Sequence, residues 1–197
     1  GLIKLRLFTR NPGNADEFHR QAEKLKALIA DLLVAESEES LEEIVGKKLK
    51  AQNLTLSTAE SCTGGLVAHK ITAVAGASAY FAGGIVCYTN EVKENILRVD
   101  KHTLHTFGAV SRQVVMEMAA RCAELLGTEC ALAVSGIAGP SGGTPDNPVG
   151  TVWICTYCRG ESIAKKYTVG NSRRENMERA ANMALLQMLK MIQEQQA

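Results

Sequence analysis

Short apolar runs alternate with amphipathic helical patterns along most of this chain, from residue 54 to residue 192. Runs typical of buried strands lie at residues 54–59, 81–88 and 130–135. Segments with apolar residues at helical spacing lie at residues 65–74, 89–97 and 111–126. Parallel strands need crossover connections, so this alternation predicts a mostly parallel sheet covered by helices on both faces.

The last third of the chain adds a different pattern. Residues 149–158 and 161–169 read as two strands joined by a turn at Arg159 and Gly160, which predicts an antiparallel hairpin. Residues 172–192 read as a closing amphipathic helix. The expected fold is therefore α/β, with three layers (α/β/α) around a mixed, mostly parallel sheet.

The first residues form a separate pattern. Ile3, Leu5 and Leu7 alternate with charged residues, which predicts a strand, and a helical pattern follows over residues 18–34. This strand–helix appendage, residues 1–35, is too small to fold alone. A capping box at Ser40 to Glu43 opens the next helix, expected to reach Ala51, within a main domain of residues 36–197.

Composition excludes several classes of protein. The chain has 197 residues, which fits one ordinary domain, and its formal net charge of +1 gives no general attraction to nucleic acid. No apolar run approaches the roughly 20 residues that span a bilayer. The C-x-x-C at Cys155 and Cys158 lies in a strand-like run without a second pair, so we expect buried thiols there and no metal site. His102 and His105, which flank Leu104, are expected in loop packing or surface contacts.

One hexapeptide carries the strongest chemical signal. Glu60-Ser61-Cys62-Thr63-Gly64-Gly65 lies where a predicted strand gives way to a predicted helix. A serine there lies near unpaired backbone N–H groups, which can hold a developing negative charge, so Ser61 is a candidate nucleophile. The alternative is a serine that only caps the helix.

Tyr88 and Lys93, at and beyond the end of the next predicted strand, are the candidates for the catalytic base. Tyr88 ends the strand-like run of residues 81–88, and Lys93 follows in the next helical segment. Both follow a strand whose carboxyl end shares an edge of the sheet with Ser61, so convergence is plausible. Lysine substitutes for histidine in Ser-Lys enzymes. The alternatives are a solvated helix lysine and a half-buried tyrosine.

A glycine-rich segment at residues 135–151 is the third candidate. Consecutive backbone N–H groups in such loops form anion-binding nests. The residues expected to bind substrate or phosphate here are Gly136, Gly139, Gly142, Gly143 and Thr144, with Ser141 as an alternative to Thr144. The competing interpretation is a surface loop rich in proline and glycine. Arg173 opens the last helix, where arginine suits phosphate but is more often solvated.

The hexapeptide resembles the signature of the CinA C-terminal domain family, known as nicotinamide-nucleotide amidase or NMN deamidase. Four further segments agree in the same order: residues 84–93, residues 108–111, residues 135–143 and residues 148–152. The similarity covers about residues 37–192. The chain departs from the family pattern at Ser135, usually threonine, at Asn147, often lysine, and at the Gly-Asp-Arg that here reads Gly170 to Arg173. The role of Arg173 is therefore left open.

The resemblance implies an activity and a set of roles. The enzyme would deamidate nicotinamide mononucleotide in a bacterial cytoplasm, as a step of pyridine nucleotide salvage, with neither a metal nor an organic cofactor. Ser61, Tyr88 and Lys93 would act together, and the N–H groups of Cys62, Thr63, Gly64 and Gly65 would hold the oxyanion. Residues 1–35 would be the remnant of a preceding domain or a linker, and a homodimer is expected.

Two other kinds of function stay open on the sequence. One is a non-catalytic domain that binds a nucleotide or a protein, linked by family name to competence and DNA damage. The other is a serine amidase or esterase with a different small substrate. The combination of Ser61, Tyr88 and Lys93 favours an enzyme, because a pure binding domain has no need of it.

Overall fold

Residues 3–194 are described here from a computed structural model. The chain divides into two compact units, one ending at Glu39 and the other beginning at Ser40. The first unit holds helix α1 (Ala15–Leu28) between two short 3-10 helices, Pro12–Asn14 and Ala30–Leu32. Residues 1–2 and 195–197 of the predicted domain spans lie outside the described residues.

The strand predicted near the start of the chain is not formed. Residues 3–9 carry neither strand nor helix, and the side chains of Ile3, Leu5 and Leu7 are exposed. A strand needs hydrogen-bonded neighbours, and the described part of the first unit contains no other strand to pair with. The prediction of a strand–helix appendage is therefore wrong in its strand and right in its helix.

The second unit contains six helices and five strands within the described residues. The helices are α2 (Leu41–Ala51), α3 (Leu66–Thr72), α4 (Asn90–Asn95), α5 (Lys101–Phe107), α6 (Arg112–Leu126) and α7 (Arg173–Glu194). The strands are β1 (Leu56–Glu60), β2 (Phe81–Val86), β3 (Cys130–Gly136), β4 (Thr151–Cys158) and β5 (Glu161–Thr168). A short 3-10 helix, Ala77–Ala79, precedes β2.

The five strands form one mixed sheet in the order β2-β1-β3-β4-β5. Strand β1 runs parallel to both β2 and β3, whereas β4 runs antiparallel to both β3 and β5. The predicted mixed sheet is confirmed, although only two of these four strand pairings are parallel. The predicted hairpin is β4 and β5, with Arg159 and Gly160 at its turn.

Helices cover both faces of the sheet, which confirms the predicted three layers. Helix α6 packs on one face, where Val115, Met118 and Cys122 join Ala59 and Ala133 in one apolar cluster. Helices α2, α3 and α7 pack together on the other face. The apolar spacing along α6 explains this arrangement, because residues three and four apart share one side of a helix.

Two features differ from the sequence-based expectations. His102 and His105 lie on helix α5 and not in a loop, but both are exposed, as the alternative of surface contacts expects. Asp100 caps the first turn of α5 by accepting from two backbone N–H groups. Cys130 and Cys158 lie opposite each other in the β3–β4 register and form a disulfide, so the thiol expected at Cys158 is wrong. Cys155 is a buried free thiol, as expected.

The parallel strands place three loops at one edge of the sheet. Strands β1, β2 and β3 end at Glu60, Val86 and Gly136, and Glu60 pairs with both Val86 and Val134. The carboxyl ends of parallel strands are where α/β proteins build their sites. No helix within residues 3–194 is both long enough and apolar enough to cross a membrane.

Candidate active site

Ser61 is the first residue after β1. Its N–H donates to the carbonyl of Val134 at 2.9 Å, which extends the β1–β3 pairing by one residue beyond the strand. The side chain is 8% exposed. The backbone of the serine is thus fixed by the sheet, at the edge where the loops after the parallel strands meet.

Lys93 reaches this hydroxyl from helix α4. Thr89 caps the helix by accepting from the N–H of Val92, and Lys93 lies one residue further along. The Lys93 side chain is only 1% exposed, and its Nζ donates to Ser61 Oγ at 3.0 Å. The same Nζ donates to the carbonyls of Cys87 at 2.7 Å and Tyr88 at 3.4 Å. The predicted contact between Ser61 and Lys93 is present in the structure.

Burial decides the electrostatics of this pair. Removal from water lowers the pKa of Lys93 from the usual lysine value of 10.5. A neutral amine at this position would keep two N–H groups for the two carbonyls and turn its lone pair toward the serine. The 3.0 Å separation then serves a hydrogen bond in which the Ser61 hydroxyl donates to Lys93 Nζ.

The two thiols beside the pair are poor competitors for the role of nucleophile. Burial raises the pKa of Cys62 to about 12, and burial also raises the pKa of Cys87. The thiolate is the reactive form of cysteine, so both side chains are inert near neutral pH. Ser61 is therefore the favoured nucleophile of this cluster.

The backbone N–H groups after Ser61 are only partly available to an oxyanion. The N–H of Gly64 donates to the Ser61 carbonyl at 3.1 Å, and the N–H of Gly65 donates to the Glu60 carboxylate at 3.0 Å. Within residues 3–194, the N–H groups of Cys62 and Thr63 donate to no carbonyl or carboxylate. Of the four predicted oxyanion donors, the N–H groups of Cys62 and Thr63 are thus the two that no carbonyl or carboxylate of the described residues engages.

The Tyr88 hydroxyl makes no hydrogen bond to Ser61 or Lys93 in the described structure. Tyr88 is 54% exposed, whereas the neighbouring Cys87 is buried. Among the described residues, the hydrogen-bond partner of Tyr88 Oη is Arg173, whose Nη2 donates to it at 2.8 Å. The predicted contact between the phenol and the Ser61–Lys93 pair is therefore not formed, and Tyr88 contributes its carbonyl to Lys93 instead.

The glycine-rich segment closes on itself between β3 and β4. At its base the Ile137 N–H donates to the Thr151 carbonyl and the Gly150 N–H donates to the Ile137 carbonyl, each at 2.8 Å. At its tip Thr144 and Asn147 form a turn, in which the Asn147 N–H donates to Thr144 Oγ1. The Thr144 N–H donates to the Asn147 carbonyl at 2.9 Å, so the N–H and the hydroxyl of Thr144, the residue expected to help bind phosphate, both have hydrogen-bond partners within the loop.

The glycines of this segment play different structural roles. A Cβ on Gly136 would lie 2.6 Å from the Thr151 carbonyl oxygen, and one on Gly143 would lie 2.9 Å from the Val149 nitrogen. These two glycines therefore permit close backbone approach. Gly142 has a backbone φ of +89°, a conformation that glycine adopts readily and other residues rarely do. Gly139 alone of the predicted set is tied to the rest of the site, through its carbonyl.

Arg173 is the residue of this site that the sequence left unassigned. It begins α7, and its Nη1 donates to the Gly139 carbonyl at 2.8 Å while its Nη2 donates to Tyr88. The side chain thus joins the last helix to the glycine-rich segment and to the end of β2. The signal in the sequence was an arginine just after Gly170, which spacing alone could not separate from a solvated residue.

Comparison with known proteins agrees with the fold and the motif. The family model described as the CinA C-terminal domain matches residues 38–192. A CinA-like protein of Kosmotoga olearia is 48% identical over 162 residues, which are 82% of this chain and 39% of that protein. A CinA-like protein of Cytophaga hutchinsonii is 39% identical over 96% of this chain and 46% of that protein. The chain thus spans less than half the length of these relatives.

Solved structures show the same similarity. The crystal structure of the competence/damage inducible protein CihA from Agrobacterium tumefaciens has a TM-score of 0.74 and 38% identity. The match covers 81% of this chain and 99% of that one. The competence damage-inducible protein A from Klebsiella pneumoniae has a TM-score of 0.74 and 37% identity, over 76% of this chain and 93% of that one.

Proposed function

Because this chain belongs to the family of CinA C-terminal domains, we propose that it is a serine-dependent amidohydrolase that converts nicotinamide mononucleotide to nicotinate mononucleotide and ammonia. One observation carries the catalytic part of this proposal: the amine of Lys93, 1% exposed, lies 3.0 Å from Ser61 Oγ. The choice of substrate comes from the resemblance of the motifs to the family.

The first half-reaction forms an ester on the serine. Neutral Lys93 takes the hydroxyl proton as Ser61 Oγ attacks the carboxamide carbon, and the carbonyl oxygen becomes an oxyanion. The N–H groups of Cys62 and Thr63, which donate to no carbonyl or carboxylate in the described structure, are the proposed donors to it. Lys93 then gives its proton to the leaving nitrogen as the carbon–nitrogen bond breaks, and ammonia departs.

The second half-reaction releases the acid. A water molecule attacks the ester carbon while Lys93, neutral again after the loss of ammonia, takes one of its protons. Collapse of the second tetrahedral intermediate breaks the bond to Ser61 Oγ, which regains its proton from Lys93. The two steps together consume one water molecule and return the enzyme to its starting state.

The surroundings of Ser61 suit a cationic ring that carries a phosphate. A bound pyridinium charge favours the neutral form of the nearby Lys93 amine, since like charges disfavour each other. Arg173 holds its guanidinium against Tyr88 and Gly139 at the exposed rim, where a phosphate could be met by a positive charge. These features support a nucleotide substrate for the proposed amidase.

The test is ammonia release from nicotinamide mononucleotide by the wild-type chain and by Ser61→Ala. Ser40→Ala is a matched control, because Ser40 caps α2 and contacts neither Ser61 nor Lys93. The proposal expects release by wild type and by Ser40→Ala, with loss in a folded Ser61→Ala.

Failure would take two recognisable forms. A folded wild-type chain that cleaves generic esters but not the mononucleotide would indicate a serine hydrolase with another substrate. A chain that cleaves neither but binds the mononucleotide would indicate a domain that binds without catalysing. Either result would overturn the proposed amidase.

A further inference from the structure

The carboxylate of Glu60 is the one charged group of the hexapeptide, and the proposed reaction does not use it. We propose that Glu60 is a positioning residue that fixes the distance between Ser61 and Lys93, an inference that rests on the proposed serine chemistry. Glu60 is 1% exposed, so its side chain is out of reach of a substrate and acts only through its neighbours.

The Glu60 side chain ties the end of β1 to the start of α3. Its Oε2 accepts from the N–H groups of Gly65 and Val67, each at 3.0 Å, and its Oε1 accepts from the N–H of Ala68 at 2.8 Å. Both ends of the turn that carries Ser61 are therefore held by one residue, through its backbone in the sheet and its side chain on the helix. The turn between them cannot shift without breaking these bonds.

A carboxylate is the side chain that this position requires. The residue before α3 is Gly65, with φ +98°, so the helix has no side chain of its own to cap its first turn. Three N–H donors converge on two oxygens, in one buried and two partly buried hydrogen bonds, and each donor would cost free energy if left unpaired. Glutamine would present one oxygen and one NH2 group, which would face a backbone N–H and leave it unsatisfied.

The backbone of Glu60 also reaches the base. Its carbonyl accepts from the N–H of Cys87 at 2.8 Å, and the Cys87 carbonyl accepts from Lys93 Nζ at 2.7 Å. Lys93 in turn contacts Ser61 Oγ at 3.0 Å, which closes a ring of four residues. Movement of Glu60 would therefore change the position of the nucleophile and the support of the base together.

This role predicts an effect on rate rather than on substrate binding. Glu60→Gln is expected to lower kcat about 100-fold, the order of loss that follows a misplacement of about 1 Å at a reacting atom. KM should stay within about threefold, because the carboxylate does not touch the substrate. A role in stability alone would lower the melting temperature without changing the rate per folded molecule.

Glu129→Gln is the matched control for Glu60→Gln. Its carboxylate also accepts a backbone N–H, that of Thr55 at 2.9 Å, but it precedes β3, at the opposite edge of the sheet from Ser61. The experiment measures three quantities on both variants and the wild type: ammonia release, the rate at which a fluorophosphonate probe labels Ser61, and the melting temperature. The labelling rate reports activation of the serine whether or not the mononucleotide is a substrate.

The expected result is slow labelling and low kcat in Glu60→Gln, with wild-type labelling in Glu129→Gln. Labelling of Glu60→Gln at the wild-type rate would overturn the inference. A wild-type chain that labels rapidly but releases no ammonia would refute the proposed substrate, while slow labelling of Glu60→Gln would still support the positioning role.

A measurement on the wild-type chain covers the case in which Glu60→Gln does not fold. Amide hydrogen exchange followed by NMR should show the N–H groups of Gly65, Val67 and Ala68 protected together, since all three donate to the same carboxylate. Rapid exchange of these three amides, against slow exchange in β1, would show that the contact is not maintained and would overturn the inference.

Discussion

At the scale of single residues, the buried amine of Lys93 is the feature with the clearest chemical meaning. An ammonium group removed from water is costly unless an anion compensates it, and the polar partners of Lys93 Nζ are two carbonyls and a hydroxyl. A neutral amine relieves that cost and gains the ability to take a proton. The structure and the chemistry thus favour the same form of the residue.

The pH dependence of activity follows from the lowered pKa of Lys93. The protonated amine cannot act as a base, so kcat/KM should be low in acid, rise with pH through the pKa of Lys93, and level off below 10.5, the usual value for lysine. Lys93→Ala should lose about 1000-fold in kcat at the plateau, within the range that general base catalysis supplies.

The control for this profile is Lys101→Ala, whose side chain is exposed on α5. It should retain both the shape and the height of the wild-type curve. A wild-type profile that falls as pH rises through this range, or a Lys93→Ala variant with normal turnover, would remove lysine from the mechanism.

The candidate nucleophile could be identified from the sequence, whereas the contacts of the residues around it could not. Ser61 stands out because a serine followed by Cys62, Thr63 and two glycines at a strand–helix junction is a specific pattern. The partner of the Tyr88 hydroxyl could not be predicted, because Arg173 lies 85 residues further along the chain. The hydrogen bond from the Gly65 N–H to the Glu60 carboxylate could not be predicted either, since it joins a side chain to the backbone five residues further along the chain.

At the scale of elements, the site is assembled where α7 meets the loops after β2 and β3. Arg173 makes this connection through the Gly139 carbonyl and Tyr88 Oη, and Asn176 adds a second bond by donating from Nδ2 to the Ala138 carbonyl at 3.0 Å. The glycine-rich segment is therefore held by the first turns of the last helix. These contacts span the chain from residue 88 to residue 176, which no local pattern could predict.

Loss of the Arg173 side chain should loosen this rim without unfolding the domain. Arg173→Ala is expected to lower kcat/KM about 10-fold to 100-fold, because hydrogen bonds from a charged group contribute about 1.5–3 kcal/mol. The melting temperature should change little, since the residue is exposed.

Arg174→Ala is the matched control for Arg173→Ala. Arg174 is the next residue of α7, and the described structure shows no side-chain hydrogen bond for it. The measurement is kcat/KM of both variants and the wild type with nicotinamide mononucleotide as substrate. Equal effects of the two changes would mean that net charge rather than the Arg173 contacts is responsible.

Element types were predictable where the apolar period was long, and less so elsewhere. The run of β3 was assigned correctly because six of its seven residues are buried. On α6 the inward positions expected from Val114 to Cys122 are buried, whereas Leu125, also expected inward, is 37% exposed in the last turn of the helix. The prediction of a strand from Ile3 to Leu7 was wrong, because an alternating apolar pattern forms a strand only where a second strand is present to pair with it. Helix α5 was missed because its seven residues hold a single buried residue, Leu104.

At the scale of the whole molecule, strand order is what turns separate motifs into one site. Strand β1 lies between β2 and β3, so the residues after all three strands meet at one edge of the sheet. The alternating pattern of strands and helices predicted the three layers. It could not predict the order of the strands in the sheet, because strand pairing depends on contacts between segments that are distant in sequence. The expected homodimer stays a prediction.

The most direct test of the proposed mechanism is to trap the ester on Ser61. The wild-type chain and Ser61→Ala would be mixed with nicotinamide mononucleotide, quenched in acid within the first turnover, digested, and mapped by mass spectrometry. The mechanism predicts that the peptide containing Ser61 gains the mass of the nicotinate mononucleotide acyl group in the wild type and not in the variant. Ammonia release with the acyl group on another residue, or turnover that persists in Ser61→Ala, would contradict it.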